Sequence, residues 1–90
     1  MQHRAAANFW KEYGALPEDI RRRADKQFSL LKLNPQHPSL EFKKVGERQG
    51  PEIWSARVTL SYRALAIKRK DGFLWFWVGG HKTYEALLSL

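Results

Sequence analysis

The stretch "WSARVTLSYRAL", from Trp54 to Leu65, decides the fold because it predicts a β-hairpin. Apolar and polar residues alternate along its first half: one parity holds Trp54, Ala56 and Val58, and the other holds Ser55, Arg57 and Thr59. This period of two is typical of a strand with one buried face. A second arm follows from Tyr62 to Lys68, so we expect two antiparallel strands joined by a short turn.

The hairpin brings two arginines together if its connection is the three residues Thr59 to Ser61. Arg57 then stands opposite Arg63 on one face of the hairpin. The other predicted pairs are Val58 with Tyr62, Ala56 with Ala64, and Trp54 with Ala66. Directly opposed like charges are destabilising unless an anion lies between them. A phosphate is a suitable anion, because the planar guanidinium matches its oxygens.

Two alternatives remain open for these arginines. They can turn apart to pair with glutamates or to stay in water. A two-residue turn would instead place them on opposite faces of the hairpin. The hairpin by itself therefore suggests an anion site without establishing one.

Length and composition predict one soluble domain spanning residues 1–90. A chain of 90 residues can bury a single modest core, and its hydrophobic content of 43% argues against disorder. The longest apolar run, Phe73 to Val78, is far shorter than the ~20 residues of a membrane helix. The start of the chain lacks the apolar region of a signal peptide, and no cysteine is present. We therefore expect a cytoplasmic protein with no membrane partner.

The charge of the chain predicts the class of its partner. Sixteen Lys and Arg residues against nine Asp and Glu residues give a formal net charge of +7 and a pI near 10.1. Such a surface favours nucleic acid, the ribosome or an acidic protein equally. The run "RRR" at residues 21–23 is expected to be a solvated helix face or a docking surface for a partner.

Two helices are predicted before residue 34. The first is marked by apolar residues at intervals of three and four, namely Ala6, Phe9, Trp10 and Tyr13, and it ends at Gly14. The second begins near Pro17, and its apolar stripe consists of Ile20, Ala24, Phe28 and Leu31. The two prolines of "NPQHPSL", from Asn34 to Leu40, end it.

Four strands and a short helix are predicted in the rest of the chain. They are "LEFKKVG" from Leu40 to Gly46, the two arms of the hairpin, the apolar "FLWFWVGG" after a tight turn at Lys70–Gly72, and a helix in "HKTYEALLSL". We expect Trp75 and Trp77 in the core. The order predicts an α+β domain with its helices packed on one side of a twisted, mainly antiparallel four-stranded sheet. These helices are an N-terminal helical hairpin and a short C-terminal helix.

With these elements in this order, the chain resembles the RelE/ParE superfamily of bacterial toxins, the toxin halves of type II toxin–antitoxin pairs. The matching segments are "KVG", where the family often has L-K-G, then "IWSARV" with "YRALA", and finally "WVGGHKTYEALL". The resemblance covers nearly the whole chain and points to a RelE-like fold. The usual N-terminal strand of the family is not evident, because the sequence predicts that the chain begins directly in helix.

The resemblance implies a catalytic site and a reaction. In RNA-cleaving members, arginines at positions that match Arg57 and Arg63 stabilise the scissile phosphate, and residues that match His81 and Tyr84 assist proton transfer or hold a base. Histidine suits acid–base work near neutral pH. The alternative is that His81 merely caps the last helix.

The implied activity is metal-independent cleavage of mRNA, in which the 2′-OH attacks the adjacent phosphate. Either Tyr84 or a carboxylate such as Glu52 could complement His81 as acid or base. Lys43 and Lys44 would hold flanking phosphates. No cofactor is expected. The expected partners are a cognate, acidic antitoxin, mRNA and the ribosome.

Two other functions are compatible with the same residues. The first is a ParE-like toxin that binds DNA gyrase without cleaving RNA, although that branch usually lacks the full set of Arg57, Arg63, His81 and Tyr84. The second is a basic nucleic-acid-binding module without catalysis.

Overall fold

The computed structural model describes residues 1–47 and 49–89, which form an α+β domain. Its elements are β1 (Gln2–Ala5), α1 (Ala7–Gly14), α2 (Glu18–Leu33), a 3-10 helix (Pro38–Leu40), β2 (Lys43–Glu47), β3 (Glu52–Thr59), β4 (Tyr62–Arg69), β5 (Gly72–Gly80) and α3 (His81–Leu88). The segment between β2 and β3 contains Arg48, which lies outside the described residues. Among the described residues, no helix is long and apolar enough to cross a membrane.

The sheet has five strands in the order β1-β5-β4-β3-β2, which corrects the prediction of four. The additional strand is β1, which pairs in parallel with β5, whereas the other neighbours are antiparallel. The strand was missed because it is a four-residue edge strand without a distinct apolar face. Gly72 allows it to approach, since a Cβ at this position would lie 1.9 Å from the carbonyl oxygen of Gln2.

His3 anchors β1 to the aromatic residues of β5. The indole Nε1 of Trp75 donates a hydrogen bond to His3 Nδ1 at 3.1 Å, and the imidazole stacks against Phe73. Burial, the positive N-terminus and the charge of Lys32 lower the pKa of His3 from its usual 6.5. The neutral imidazole is therefore the form that this contact favours.

Helices cover both faces of the sheet, and this corrects the prediction that all of them lie on one side. Helices α1 and α2 pack on the face that holds Ala56, Val58 and Ala64. Helix α3 packs on the opposite face, where Tyr84 meets Leu65 and Trp77. The sequence predicts this short C-terminal helix but does not show which face of the sheet it covers, because that depends on where β5 ends.

Trp75 and Trp77 are both buried, as predicted, but they lie on opposite faces. They would share a face in a regular strand, because they are two residues apart. Leu65 pairs with Trp77 and Ala66 with Trp75, so Phe76 is an extra residue in β5. Because of this bulge, Trp75 and Trp77 point to opposite faces of the sheet. The strand β5 therefore contributes one indole to the hydrophobic cluster on each face.

Helix α2 buries a polar residue where the sequence predicted an apolar one. Phe28 is 41% exposed, whereas Gln27 is only 8% exposed. The side-chain Nε2 of Gln27 donates hydrogen bonds to the carbonyl oxygens of Ser39 at 3.3 Å and Arg57 at 3.0 Å. Gln27 therefore ties the 3-10 helix and β3 to α2.

The strand predicted from Leu40 begins only at Lys43. Leu40 closes the 3-10 helix instead and is almost fully buried. Glu41 follows in the left-handed conformation, with φ 41° and ψ 43°. This backbone is uncommon for a residue with a Cβ, and it determines where the Glu41 side chain points.

Candidate active site

The hairpin places Arg57 directly opposite Arg63, as predicted. Thr59, however, pairs with Tyr62, so the turn has two residues instead of three, and the predicted pairing of Val58 with Tyr62 is wrong. With a two-residue turn and no bulge, Val58 would pair with Arg63. Val58 is instead an extra, unpaired residue in β3, and this bulge places Arg57 opposite Arg63. Both arginines consequently share the face that carries α3.

An internal carboxylate lies between the two guanidinium groups. Glu41 Oε2 makes an ion pair with Arg57 Nη2 and lies 3.8 Å from Arg63 Nη2. Glu41 Oε1 lies 4.0 Å from Lys43 Nζ. The alternative in which the arginines pair with a glutamate therefore holds in this structure, while the two arginines still face one another.

The arginines retain hydrogen-bonding capacity in spite of this carboxylate. The side chain of Arg57 is 28% exposed and that of Arg63 is 11% exposed. Arg57 Nε, Arg63 Nε and Arg63 Nη1 are buried without a hydrogen-bond partner among the described residues. Buried donors are usually paired, so unpaired donors on a half-buried cation pair indicate a site for an anion with several acceptor oxygens.

The N-terminus of α3 completes the site. Arg63 Cζ lies 5.6 Å from the ring centre of Tyr84, and the rings of Tyr84 and His81 are 5.8 Å apart. The order Arg63, Tyr84, His81 thus runs along one face. Tyr84 is buried against Leu65 and Trp77, so it supports Arg63 as well as facing the site.

His81 is the first residue of α3, and its side chain does not cap the helix. His81 Nε2 lies 2.7 Å from Glu85 Oε1, one helical turn later. His81 Nδ1 is buried without a partner in the described part of the chain. If Nε2 carries the proton donated to Glu85, Nδ1 of the neutral ring is an unprotonated acceptor.

The structure separates Lys43 from Lys44. Lys43 pairs with Ser55 and shares the face of the arginines, whereas Lys44 pairs with Trp54 on the opposite face. Lys44 Nζ lies 2.5 Å from Glu47 Oε1, and this hydrogen bond raises the pKa of Lys44. Of these two lysines, Lys43 is the one that shares a face with the candidate site.

Glu52, considered above as the complement to His81, lies away from the arginines. Its carboxylate accepts a hydrogen bond from Trp54 Nε1 at 2.9 Å, which lowers its pKa. Trp54 belongs to the core under α1 and α2. In the described part of the chain, the carboxylates that contact residues of the site are Glu41 and Glu85, and the sequence identified neither.

A sequence comparison identifies the family. The model of the ParE-like toxin domain matches residues 18–86, most of the chain and all of the site described above. The chain belongs to this toxin family, within the RelE/ParE superfamily. No curated protein sequence matches significantly.

Solved toxin structures share the fold of this ParE-like domain at low sequence identity. YafQ from E. coli BL21(DE3) has a TM-score of 0.71 at 10% identity, covering 92% of this chain and 96% of its own. The RelB–RelE antitoxin–toxin complex from Methanococcus jannaschii gives 0.70 at 18% identity, with coverage of 93% and 96%. The archaeal RelE–RelB complex from Pyrococcus horikoshii OT3 gives 0.67 at 15%, with 88% and 92%.

Proposed function

We propose that this ParE-like domain is the toxin of a toxin–antitoxin pair and acts as an endoribonuclease that cleaves mRNA, with the ribosome presenting the substrate. The observation that carries the proposal is the pair of opposed, half-buried arginines with unpaired donors beside His81. The toxin fold supports it. The arrangement provides a charge-stabilising pair and a titratable group on one face.

The arginines would bind the scissile phosphate. Attack on phosphorus places negative charge on the non-bridging oxygens, and preorganised donors stabilise that charge. Arg63 is suited to this task because burial strengthens its field and Tyr84 holds its guanidinium. Arg57, more exposed, would contact the same phosphate from the opposite strand.

The chemistry is transesterification with balanced proton transfer. The 2′-oxygen forms a bond to phosphorus as it loses its proton, and the bond from phosphorus to the 5′-oxygen breaks as that oxygen gains one. The products are a 2′,3′-cyclic phosphate and a 5′-hydroxyl end. His81 is the proposed proton-transfer residue, and Glu85 would hold its imidazole ring in place. Tyr84 would hold a nucleobase of the RNA or support the guanidinium of Arg63.

Lys43 would contact a flanking phosphate, and the partner that silences the site would be an acidic antitoxin. The net charge of +7 attracts such a partner. The antitoxin would cover the face of Arg57 and Arg63 or displace α3, of which Tyr84 is the buried residue.

The decisive experiment uses purified toxin, programmed ribosomes and a defined mRNA, with free RNA in parallel. The parental protein should produce 2′,3′-cyclic phosphate ends, and a single 2′-deoxy substitution at the cleaved position should abolish cleavage there. Arg57→Gln should slow cleavage by ~10²- to 10³-fold. Arg69→Gln is the matched control, because Arg69 is an exposed arginine in β4 outside the site.

The competing toxin function is tested in cells. After induction, protein synthesis should stop with new mRNA ends, while plasmid supercoiling stays unchanged. Cleavage that persists at the 2′-deoxy position would rule out the proposed chemistry. Altered supercoiling without RNA cleavage would replace it with a gyrase-directed toxin.

A further inference from the structure

The carboxylate of Glu41 occupies the position between the arginines in which an anionic ligand would bind. One carboxylate contacts three cations: Arg57, Arg63 and Lys43. It is 30% exposed at the side chain. The site is therefore neutralised only in part, and it is occupied from within the chain.

The backbone around Glu41 is built to hold the carboxylate there. Pro38 starts the 3-10 helix, His37 Nδ1 accepts a hydrogen bond from the Ser39 N–H at 3.2 Å, and the buried Leu40 fixes its end. Gln27 holds this segment and β3 through one amide group. A left-handed residue with a Cβ persists only where its surroundings determine it.

Glu41 satisfies the arginines less completely than a phosphate would. A carboxylate has two oxygens, and three guanidinium nitrogens of Arg57 and Arg63 stay unpaired in the described residues. A phosphate group adds oxygens in a tetrahedral arrangement and matches two guanidinium forks. A phosphate mono- or diester therefore fits between the two arginines better than the Glu41 carboxylate does.

We propose that Glu41 is an internal stand-in for the ligand's phosphate, so that binding at this site is an exchange of one anion for another. The inference rests on the proposed function, because it assigns the ligand of the same arginines. Phosphate enters as the Glu41 carboxylate leaves, and the carboxylate lowers affinity for every phosphate ligand. As a result, only RNA that other contacts already hold in place can displace the Glu41 carboxylate.

The experiment measures the Kd for inorganic phosphate and for a 2′-O-methyl RNA oligonucleotide, which cannot be cleaved, at fixed ionic strength. The variants are Glu41→Gln, which keeps the size, and Glu41→Asn, which suits the left-handed backbone and is too short to reach the arginines. The control is Glu47→Gln, which removes the same charge beside Lys44 on the other face. Both Glu41 variants should bind phosphate roughly tenfold more tightly than the parent, and the control should stay within about twofold.

A measurement on the parental protein completes the test without relying on any variant. The carboxyl carbon resonance of Glu41 should move toward that of a solvent-exposed glutamate in step with phosphate binding. A resonance that stays unchanged at saturating phosphate, or Glu41→Gln binding no more tightly than Glu47→Gln, would overturn the inference. If the exchange occurs and the parental protein does not cleave RNA, the anion site stands and the proposed nuclease function fails.

Discussion

Replacing Arg63 with methionine should stabilise the domain and inactivate it. Methionine fills a similar volume without charge, so the substitution removes the guanidinium and leaves little cavity. Arg63 carries two buried nitrogens with no partner in the described residues and faces Arg57 across the strands. A residue in such surroundings lowers the free energy of unfolding and is kept in place by the stability of the rest of the fold.

The magnitude follows from the contacts of Arg63. Each unsatisfied buried donor costs about 1–3 kcal/mol, and both disappear in the variant. The variant loses the stacking on Tyr84, about 0.5–1 kcal/mol, and the long contact with Glu41, about 0.2–1 kcal/mol. We expect a net gain of about 1–3 kcal/mol in the free energy of unfolding, with Tm rising about 4–8 °C for each kcal/mol.

The assay is urea unfolding of the parent and three variants, paired with single-turnover RNA cleavage. Arg69→Met changes an exposed arginine of β4 and should leave the free energy of unfolding within about 0.5 kcal/mol of the parent. Arg21→Met should lower it, because Arg21 Nη1 donates to the carbonyl oxygen of Leu16 at 2.7 Å. Arg63→Met should cleave ~10²- to 10³-fold more slowly than the parent.

The opposite pattern would refute this reasoning. If Arg63→Met unfolds more easily than the parent and cleaves at the parental rate, Arg63 is a structural residue. The arginine pair would then serve to hold Glu41 and the 3-10 helix in place.

Further substitutions test other parts of the structure. Gly72→Ala should detach β1 and lower Tm, with amide hydrogen exchange increasing first at residues 2–5, because its Cβ would collide with the backbone of Gln2. The Tm of the parent should fall more steeply than that of His3→Gln from about pH 7.5 to about pH 5.5, since the unfolded chain binds a proton at His3 that the folded state resists; parallel curves would contradict this. His81→Gln should cleave ~10²- to 10⁴-fold more slowly at saturating toxin with RNA binding unchanged, and cleavage at the parental rate would remove His81 from the reaction. Lys43→Gln should weaken RNA binding and its salt dependence, whereas Lys44→Gln should not, as measured by RNA titration at several salt concentrations; equal effects would place both lysines on the RNA.

Local patterns in the sequence were enough to predict the helices and the hairpin. The pairing of Arg57 with Arg63 was also predicted, but through a three-residue turn that the structure does not have. Alternation along β3 and β4 follows from one buried face, and the spacing of Phe9 and Tyr13 follows from the helical period. The resemblance to the toxin superfamily was confirmed by the match to the ParE-like domain. The alternation and the helical spacing are each encoded in one short, continuous stretch of the sequence.

The features that the sequence did not reveal depend on distant parts of the chain. β1 becomes a strand only because Gly72 admits it beside β5. Glu41 reaches Arg57 from a loop whose left-handed backbone has no glycine to signal it. Gln27 sits on a helix face that periodicity assigns to apolar residues, and only the fold shows the carbonyl oxygens that it satisfies.

The extra residue at Val58 matters for comparing this chain with other toxins. Counted backward from the turn, the residue opposite Arg63 would be Val58, a core residue, instead of Arg57. At 10–18% identity, an alignment can easily place a one-residue gap on the wrong side of that position. Equivalent arginines in relatives should therefore be assigned by which residue pairs across the hairpin, since numbering from the turn would exchange an arginine of the candidate site for a buried valine.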